Sequence, residues 1–336
     1  MERMKAISEK GRVLIRGKDV PLEAARQGFL KYYLHPSVTD TVLQPLGGPL
    51  LRIFIHDIRS ISGRHIHQGG LSLFVLDGVG YTTTDGVRND WKEGDLIILP
   101  IKRGGVEHQH FNLNPNGPSR WLALVAQMLF ELMSWYRIQT AERSGWTGES
   151  RIGNSVLDAE VARVRETEVK GTARSDREDE TLWGWLFKRR DEQREEVRSA
   201  INVVSFDQTP WEWNRLGKLK WYMHPAKKPS GSHDMLIYAQ EIPSGSRSGK
   251  VQQQGGRAFF VWKGRGYSVI NGVRYDWEQD DLLALPISVE GCTYQHFNLD
   301  PDNPARLIGV APNLIETLGV DQGLGFEQLE NCPEWG

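Results

Sequence analysis

Three histidines are the residues of this sequence whose types and spacing are best suited to chemistry. His65 and His67 lie two residues apart in "GRHIHQGG" (63–70), and His108 lies in "GGVEHQHFN" (104–112). On a β-strand, residues two apart face the same side, so the first two imidazoles can reach one ligand. If a returning strand brings His108 beside them, all three can bind one divalent metal ion. An isolated H-x-H pair would equally fit a polar pair on a solvated strand face.

An internal repeat in the chain bears on these two interpretations. A displacement of 186 residues aligns "LFVLDGVGYTTTDGVRNDWKEGDLIILPI" (73–101) with "FFVWKGRGYSVINGVRYDWEQDDLLALPI" (259–287) without a gap. Further upstream the displacement becomes 189, and "PLEAARQGFLKYYLHP" (21–36) aligns with "PWEWNRLGKLKWYMHP" (210–225). The repeat units therefore run over about residues 20–123 and 209–309.

The histidines fall into two groups when the repeat units are compared. Two recur in both units and are expected to serve the fold: His35 with His224, and His110 with His296. Three occur only in the first unit: His65 against Val251, His67 against Gln253, and His108 against Tyr294. A three-ligand site is useless once one ligand is lost, so the joint absence favours a metal site in the first unit alone.

The composition limits the class of protein. The chain has 336 residues, 39% hydrophobic and 25% charged, which is typical of a globular protein of about two domains. A net charge of −2 favours neither nucleic acid nor an anionic membrane, and no apolar run is long enough to span a bilayer. With only Cys292 and Cys332 and no apolar signal-peptide core, the chain is expected to be cytoplasmic, without a disulfide scaffold or a cysteine-rich metal site.

The elements that must position the histidines are short strands. Apolar runs such as "LSLFVLDG" and "GDLIILP" are bounded by Gly, Asp and Pro, and "TDGVR" and "INGVR" carry hairpin signals. Each unit is therefore expected to be a sandwich or a small barrel.

The segment between the units has a helical pattern instead. "MLFELMSWYRIQTAERSG" and "SVLDAEVARVRETEVKG" have helical spacing, and "TLWGWLFKRRDEQREEVRSAI" begins with a candidate N-cap, Thr181. Since Trp183, Trp185, Leu186 and Phe187 are expected to be buried, the segment should pack across both β-domains or form a subunit contact.

The histidine motifs resemble those of bicupins. The first cupin motif, G-x5-H-x-H-x3,4-E-x6-G, is similar to "SGRHIHQGGLSLFVLDGVG" with His65 and His67. The second, G-x5-P-x-G-x2-H-x3-N, is similar to "GDLIILPIKRGGVEHQHFN", where H-x3-N spacing to Asn112 selects His108 over His110. The resemblance implies a mainly β fold of two cupin domains (double-stranded β-helix, or jelly roll) with a partly helical inter-domain segment. The expected organisation is an N-terminal arm (1–19), a metal-binding N-terminal cupin (20–125), a helical insert (126–208), a C-terminal cupin without metal (209–310) and a C-terminal tail (311–336).

One departure narrows the resemblance. Leu71 and Ser72 stand where the cupin motif has its glutamate, which disfavours the three-histidine-plus-glutamate cupins. The chain is similar instead to the gentisate 1,2-dioxygenase family, which includes salicylate-type enzymes and uses a three-histidine iron site. The resemblance implies one Fe(II) per chain, no organic cofactor, an aromatic carboxylate and O₂ as substrates, and a homo-oligomer, either tetramer or dimer. Family members usually have an arginine near Leu71–Leu73, and its absence here leaves the carboxylate anchor open.

Ring cleavage is the activity that the resemblance implies. Three neutral imidazoles leave a divalent iron its full charge and about three open positions. An ortho-hydroxy carboxylate on an aromatic ring would restore neutrality by chelation, and O₂ would take the remaining position.

Residues specific to the first unit are the candidates for substrate contact. Arg52, Phe54 and His56 alternate onto one face of a predicted strand. In the alignment of the repeat units, Arg52 corresponds to Leu236 and His56 to Gln240. Arg52 could hold a carboxylate as a fork, and His56 could hydrogen-bond a phenolate or bound oxygen, as the catalytic pair. Alternatively, Arg52 forms an ordinary surface salt bridge, and His56 is a polar residue of the core. Arg103 and Glu107 precede His108 and could shape the mouth or simply form a solvated loop.

Two other functions remain open. A metal-dependent cupin lyase, hydrolase or isomerase would use zinc, nickel or manganese in the same site. A non-enzymatic bicupin would bind small molecules, although the intact histidine trio argues against it.

Overall fold

In a computed structural model of the chain, the residues described are 11–25, 28–35, 51–67, 69–102, 105–132, 140–141, 177, 181–254, 256–288 and 290–336. Among these residues, those of the first half of the chain form twelve strands: β1 (Leu14–Ile15), β2 (Glu23–Ala25), β3 (Gly28–Leu34), β4 (Arg52–Ile58), β5 (His65–His67), β6 (Leu71–Asp77), β7 (Val79–Thr84), β8 (Val87–Lys92), β9 (Leu96–Leu99), β10 (Val106–Asn112), β11 (Ser119–Val125) and β12 (Thr140–Ala141). The second half contributes twelve more: β13 (Val203–Val204), β14 (Glu212–Asn214), β15 (Gly217–Met223), β16 (Met235–Ile242), β17 (Lys250–Gln253), β18 (Ala258–Lys263), β19 (Arg265–Ile270), β20 (Val273–Glu278), β21 (Leu282–Ala284), β22 (Cys292–Asn298), β23 (Ala305–Pro312) and β24 (Glu327–Glu330). Three α-helices are described: α1 (Gln127–Leu132), α2 (Leu182–Ser199) and α3 (Ile315–Leu324).

The strands form two pairs of antiparallel sheets, one pair for each repeat unit. The N-terminal domain combines a seven-stranded sheet, β13-β9-β6-β11-β4-β3-β2, with a five-stranded sheet, β12-β5-β10-β7-β8. The C-terminal domain repeats this plan with β1-β21-β18-β23-β16-β15-β14 and β20-β19-β22-β17-β24. The expected mainly β fold, with a helix between two similar domains, is confirmed.

The two domains exchange edge strands. β1, from the segment before the N-terminal domain, pairs with β21 of the C-terminal domain. β13, from the segment before the C-terminal domain, pairs with β9 of the N-terminal domain. Hydrogen bonds between the domains are reciprocal in the same way, since Tyr33 Oη donates to the Asp280 carbonyl and Tyr222 Oη to that of Gly94. Part of the expected N-terminal arm (1–19), the strand β1, therefore pairs with the C-terminal domain rather than with the N-terminal domain that follows it in sequence.

A shared apolar core joins the two seven-stranded sheets. Phe74 of β6 packs edge-on against Trp262 of β18 and Tyr222 of β15, with ring centroids 4.8 and 5.5 Å apart. Tyr33 of β3 packs against Phe260 of β18 at 5.7 Å. Strands of these sheets are buried on both faces, which explains why β6, β9, β16 and β18 are almost continuously apolar.

The segment after each domain returns to the smaller sheet of that domain. α1 is followed by β12, which pairs with β5, and α3 by β24, which pairs with β17. The helix expected to run from Met128 to the Ser144-Gly145 stop is thus shorter than predicted, because Thr140–Ala141 form a strand. The expected tail (311–336) includes α3 and β24.

The helix between the domains begins where the sequence predicts. Thr181 is the N-cap of α2 and accepts a hydrogen bond from the Gly184 amide at 2.9 Å. Trp183 and Leu186 are 66% and 51% exposed in the single chain, so packing across the two domains does not bury them, and the expected subunit contact stays a prediction. The candidate helix in residues 155–171 lies outside the described residues. None of the described helices is both long and apolar enough to cross a membrane.

Phe74→Ala should lower the free energy of unfolding by about 3–5 kcal/mol, because it opens a cavity in the core that both domains share. Urea unfolding followed by tryptophan fluorescence measures the change. The exposed Val87 provides the control, and Val87→Ala should change stability by less than about 0.5 kcal/mol. A similar small effect of Phe74→Ala would contradict the shared core.

Candidate metal centre

The strands β5 and β10 bring the three histidines together. They pair antiparallel, with His65 directly opposite His108, and alternation places His67 on the same face as His65. The ring centroids of His108 lie 4.0 Å from His65 and 4.7 Å from His67. One nitrogen of each ring lies within 4.8 Å of those of the other two, so the trio can hold one metal ion.

Burial keeps these imidazoles neutral. The three side chains are between 1% and 5% exposed. Desolvation lowers the pKa of His65 to about 4 and that of His67 to about 3, and it lowers the pKa of His108 well below its usual range. Each ring thus presents a lone pair rather than a charge, which is the form that binds divalent metals.

Backbone hydrogen bonds orient two of the rings for coordination. Nδ1 of His65 donates to the Gly63 carbonyl at 2.9 Å, and Nδ1 of His108 donates to the Val106 carbonyl at 3.1 Å. Both bonds leave the Nε2 lone pair available. Nε2 of His108 is buried without a hydrogen-bond partner. A buried acceptor without a partner, aimed at two further imidazoles, fits a bound metal ion.

His67 is held differently. Its Nδ1 accepts a hydrogen bond from the Gly69 amide at 3.1 Å, which places the ring proton on Nε2. Coordination of a metal through Nε2 requires this proton to move to Nδ1, which breaks the hydrogen bond from the Gly69 amide. Gly70 has a positive φ of 70°, and a Cβ there would clash with Phe130 of α1. Gly256, its counterpart, has a φ of 89°, which explains why the repeat keeps this glycine.

His110 serves the fold. The Thr82 hydroxyl accepts a hydrogen bond from Trp91 Nε1 at 3.0 Å and lies 2.8 Å from Nδ1 of His110. The hydroxyl can therefore donate its own hydrogen to Nδ1. The C-terminal domain repeats this arrangement with Ser268, Trp277 and His296, at 2.9 and 2.6 Å. His110 and His296 thus belong to a structural network that is the same with or without the trio.

The C-terminal domain keeps the register and loses the ligands. Val251 of β17 lies opposite Tyr294 of β22, as His65 lies opposite His108. The Tyr294 hydroxyl lies 3.4 Å from the Gln253 side-chain oxygen, at the positions of His108 and His67. Among the described residues, only the trio of the N-terminal domain forms a group of three close metal-binding side chains.

Arg52 and Phe54 lie on the inner face of β4, near the trio. The positive charge of Arg52 contributes to the low pKa of His67, after burial and His65. Its guanidinium carbon lies 5.1 Å from the Phe54 ring centroid. Nε of Arg52 is buried without a hydrogen-bond partner, and no ion pair with another described residue is present. The alternative interpretation of Arg52, an ordinary surface salt bridge, therefore finds no partner among the described residues.

His56 lies deeper along the same face. It is buried beside Trp121, with ring centroids 5.7 Å apart, and against Gly28, where a Cβ would lie 2.2 Å from His56 Nε2. It also contributes to the low pKa of His110. His56 is thus in contact with the structural network rather than among the metal-ligand trio.

Glu107 lies on β10 rather than in a loop, and it alternates away from His108. Its carboxylate forms an ion pair with Arg64 at 3.1 Å. Arg103 lies outside the described residues.

Trp121 is a residue of this interior that the sequence analysis does not select. Its ring packs edge-on against His110 at 4.2 Å, and its buried Nε1 has no hydrogen-bond partner. Its counterpart in the repeat is Leu307, so a comparison of the repeat units beyond the histidines could have found it.

Solved structures share this architecture. Salicylate 1,2-dioxygenase from Pseudaminobacter salicylatoxidans superposes with a TM-score of 0.57 at 14% identity, over 94% of this chain and 87% of that chain. A variant of that enzyme in complex with gentisate gives a TM-score of 0.56 at 16% identity, over 93% and 81%. A variant of oxalate decarboxylase from Bacillus subtilis gives 0.58 at 12% identity, over 90% and 77%.

These likenesses define the fold. Both enzymes are bicupins, so this chain has the bicupin fold, as its motifs predict. No family model and no curated protein matches the sequence.

His108→Ala should abolish binding of a divalent metal with the fold retained, because two imidazoles remain. His110→Ala should keep the metal and lower the melting temperature, because it empties the network around Thr82 and Trp91. Metal content, determined after gel filtration, measures the first effect, and thermal unfolding measures the second. Metal retained by the first variant and lost by the second would reverse the ligand assignment.

The free energy of unfolding should depend on pH through His296. Burial, followed by Arg257, lowers its pKa to about 3 in the folded chain, from 6.5 when unfolded. Between these values the unfolded state binds one more proton, so stability falls as pH falls, by about 1.4 kcal/mol per pH unit. Urea unfolding at pH 4 to 7 should show a shallower slope for His296→Gln, and an equal slope would contradict a buried neutral ring.

Proposed function

We propose that this chain is an Fe(II)-dependent ring-cleaving dioxygenase that inserts O₂ into a hydroxylated aromatic carboxylate of the gentisate, salicylate or substituted-salicylate type. The observation that carries the proposal is the buried, carboxylate-free histidine trio with Arg52 beside it, which forms no ion pair with a described residue. Salicylate 1,2-dioxygenase has the same fold and has been crystallised with gentisate, which supports this substrate class.

The ligand set favours an anionic chelating substrate. His65, His67 and His108 are neutral, so they leave the charge of a divalent metal uncompensated. An aromatic acid with an ortho hydroxyl provides two oxygen ligands and the missing negative charge. Iron in this site would supply the electron transfer between the aromatic ring and O₂.

Arg52 is the proposed anchor of the substrate carboxylate. The residue acts on His67 electrostatically, and its Nε is available because it has no partner. A guanidinium binds a carboxylate through two parallel hydrogen bonds, which would fix the ring relative to the trio. In this proposal Arg52, on β4, takes the role of the arginine that family members usually carry near Leu71–Leu73, on β6.

Aromatic residues of the interior would hold the substrate ring and exclude water. Phe54 packs against Tyr32 at 5.5 Å and lies beside Arg52, where an aromatic acid bound to the guanidinium would stack. The unpaired Trp121 Nε1 is a further donor for a substrate oxygen. His56, which contacts the Trp121 ring, would position that indole.

A second candidate is supported by the likeness to oxalate decarboxylase. In it, the same trio would hold another divalent metal and the substrate would be cleaved without net oxidation. The absence of a glutamate at Leu71 and Ser72 disfavours this chemistry relative to ring cleavage.

A homo-oligomer is part of the proposal. The start of α2 exposes four large apolar side chains within five residues, Leu182, Trp183, Trp185 and Leu186. Exposed apolar side chains that cluster in this way are typical of a protein–protein contact. A second copy of the chain would cover this surface, as the sequence pattern of the segment predicts.

The chain loaded with Fe(II) under anaerobic conditions should consume O₂ when gentisate, salicylate, substituted salicylates, hydroxynaphthoates or aminobenzoates are added. Arg52→Gln should raise KM for the active acid by about ten- to a hundredfold, because a charge-assisted hydrogen bond is lost. Arg59→Gln, at an exposed arginine beyond the end of β4, is the matched control and should leave KM unchanged.

Turnover without O₂, or activity restored by zinc alone, would contradict the dioxygenase and favour the second candidate. An unchanged KM in Arg52→Gln, with O₂ uptake intact, would contradict only the anchor.

A further inference from the structure

The C-terminal domain buries an arginine that has no acidic partner among the residues described. Arg257 precedes β18 and is 5% exposed. Its Nη1 donates to the Tyr238 hydroxyl at 2.9 Å and lies 3.5 Å from the Tyr294 hydroxyl. Nε has no partner, and no described carboxylate forms an ion pair with this guanidinium. Because a buried charge without a counter-charge is costly, this arrangement requires an explanation.

The arginine occupies the region that the metal site occupies in the other domain. Tyr294, its neighbour, stands at the repeat position of His108, and Tyr294 in turn lies 3.4 Å from Gln253, which stands at that of His67. Arg257 itself corresponds to Leu71. The domain that lacks the trio therefore carries a fixed positive charge beside the same position.

Three substitutions between the repeat units form this cluster together. Arg257 replaces Leu71, Tyr294 replaces His108, and Tyr238 replaces Phe54. The substituted side chains contact one another, whereas the surrounding frame is unchanged: the amides of Gln109 and Gln295 both donate to a serine carbonyl at 2.9 Å. The C-terminal domain therefore carries a buried charge at a position where the N-terminal domain carries none.

Hydrogen-bond donors in and around Arg257 have no acceptor among the described residues. The edge of the guanidinium formed by Nε and Nη2 makes no hydrogen bond with a described residue. Nε2 of His296 is also buried without a partner, and its ring centroid lies 5.4 Å from that of Tyr294. If Ser268 donates to Nδ1 of His296, this Nε2 carries the ring proton and is a donor too. The Gln240 side-chain oxygen is an unpaired acceptor on β16, but it is neutral and leaves the charge uncompensated.

We propose that the interior of the C-terminal domain is a metal-independent binding site for a small carboxylate, which the free Nε–Nη2 edge of Arg257 holds through two hydrogen bonds. A carboxylate supplies both the missing negative charge and two coplanar acceptors that match this edge. The Tyr238 and Tyr294 hydroxyls fix the opposite edge, so the guanidinium is oriented before the anion arrives. The site does not depend on the reaction proposed for the N-terminal domain.

Acetate is the probe, and the full chain is used after dialysis against EDTA so that no metal contributes. Since Arg52 could bind acetate in the N-terminal domain, the reference protein is Arg52→Leu, which installs the residue of its counterpart, Leu236. Calorimetric titration of this protein should show one acetate bound per chain, and the melting temperature should rise and saturate with acetate. Sodium chloride at equal ionic strength should have little effect.

Adding Arg257→Leu, which installs the residue of its counterpart Leu71, should lower the affinity for acetate by about tenfold or more. This variant should fold, because it removes an uncompensated buried charge. If it does not, Tyr238→Phe keeps the ring and removes one orienting hydroxyl, and it should weaken acetate by a smaller factor. No acetate binding to the reference protein, unchanged binding in these variants, or equal affinity for chloride would overturn the proposal.

Discussion

Antiparallel pairing between β5 and β10 sets His65 opposite His108, and this register determines which side chains meet inside the N-terminal domain. A slip of β5 by one residue would turn His65 and His67 to the face opposite His108, because strand side chains alternate with a period of two. The Ser62 hydroxyl, which accepts a hydrogen bond from the His110 amide, and the Gln109 amide, which donates to the Ser62 carbonyl, both secure the register. Ser248, Gln295 and His296 repeat these bonds in the C-terminal domain.

The interiors of the two domains differ in the kind of charged group that they accommodate. In the N-terminal domain three neutral imidazoles form a site for a divalent cation. In the C-terminal domain a guanidinium is held by tyrosine hydroxyls near the corresponding position. The arginine of each interior also lies at a different place in the domain, the partly buried Arg52 on β4 and the buried Arg257 just before β18. The shared framework therefore tolerates different interior chemistry, because its own hydrogen bonds do not involve those side chains.

The two-domain fold could be predicted because long blocks in the two halves of the chain align with each other. The histidine trio could be predicted because these three histidines, unlike His110, have no histidine counterpart in the second half. Periodicity and turn residues were enough for the central strands, and the capping preference of threonine was enough for the start of α2. The exchanged strands β1 and β13 could not be predicted, since two-residue strands have no periodicity of their own. The cluster around Arg257 was missed for another reason: its members lie far apart in sequence, and only the strand register brings them together. Apolar residues at the start of α2 predicted burial, but hydrophobicity does not say which surface provides it.

The exchanged edge strands make the chain equivalent to a symmetric homodimer whose subunits have swapped their N-terminal segments and have then been joined end to end. In such an arrangement neither half is a self-sufficient module: a cut between them would strip β9 and β21 of their outer neighbours and expose both unpaired edges. The half that lacks the histidine trio can therefore not be discarded, because its interior must still fold although it need not bind a metal. That asymmetry gives a duplicated protein a protected place in which a second binding specificity can arise.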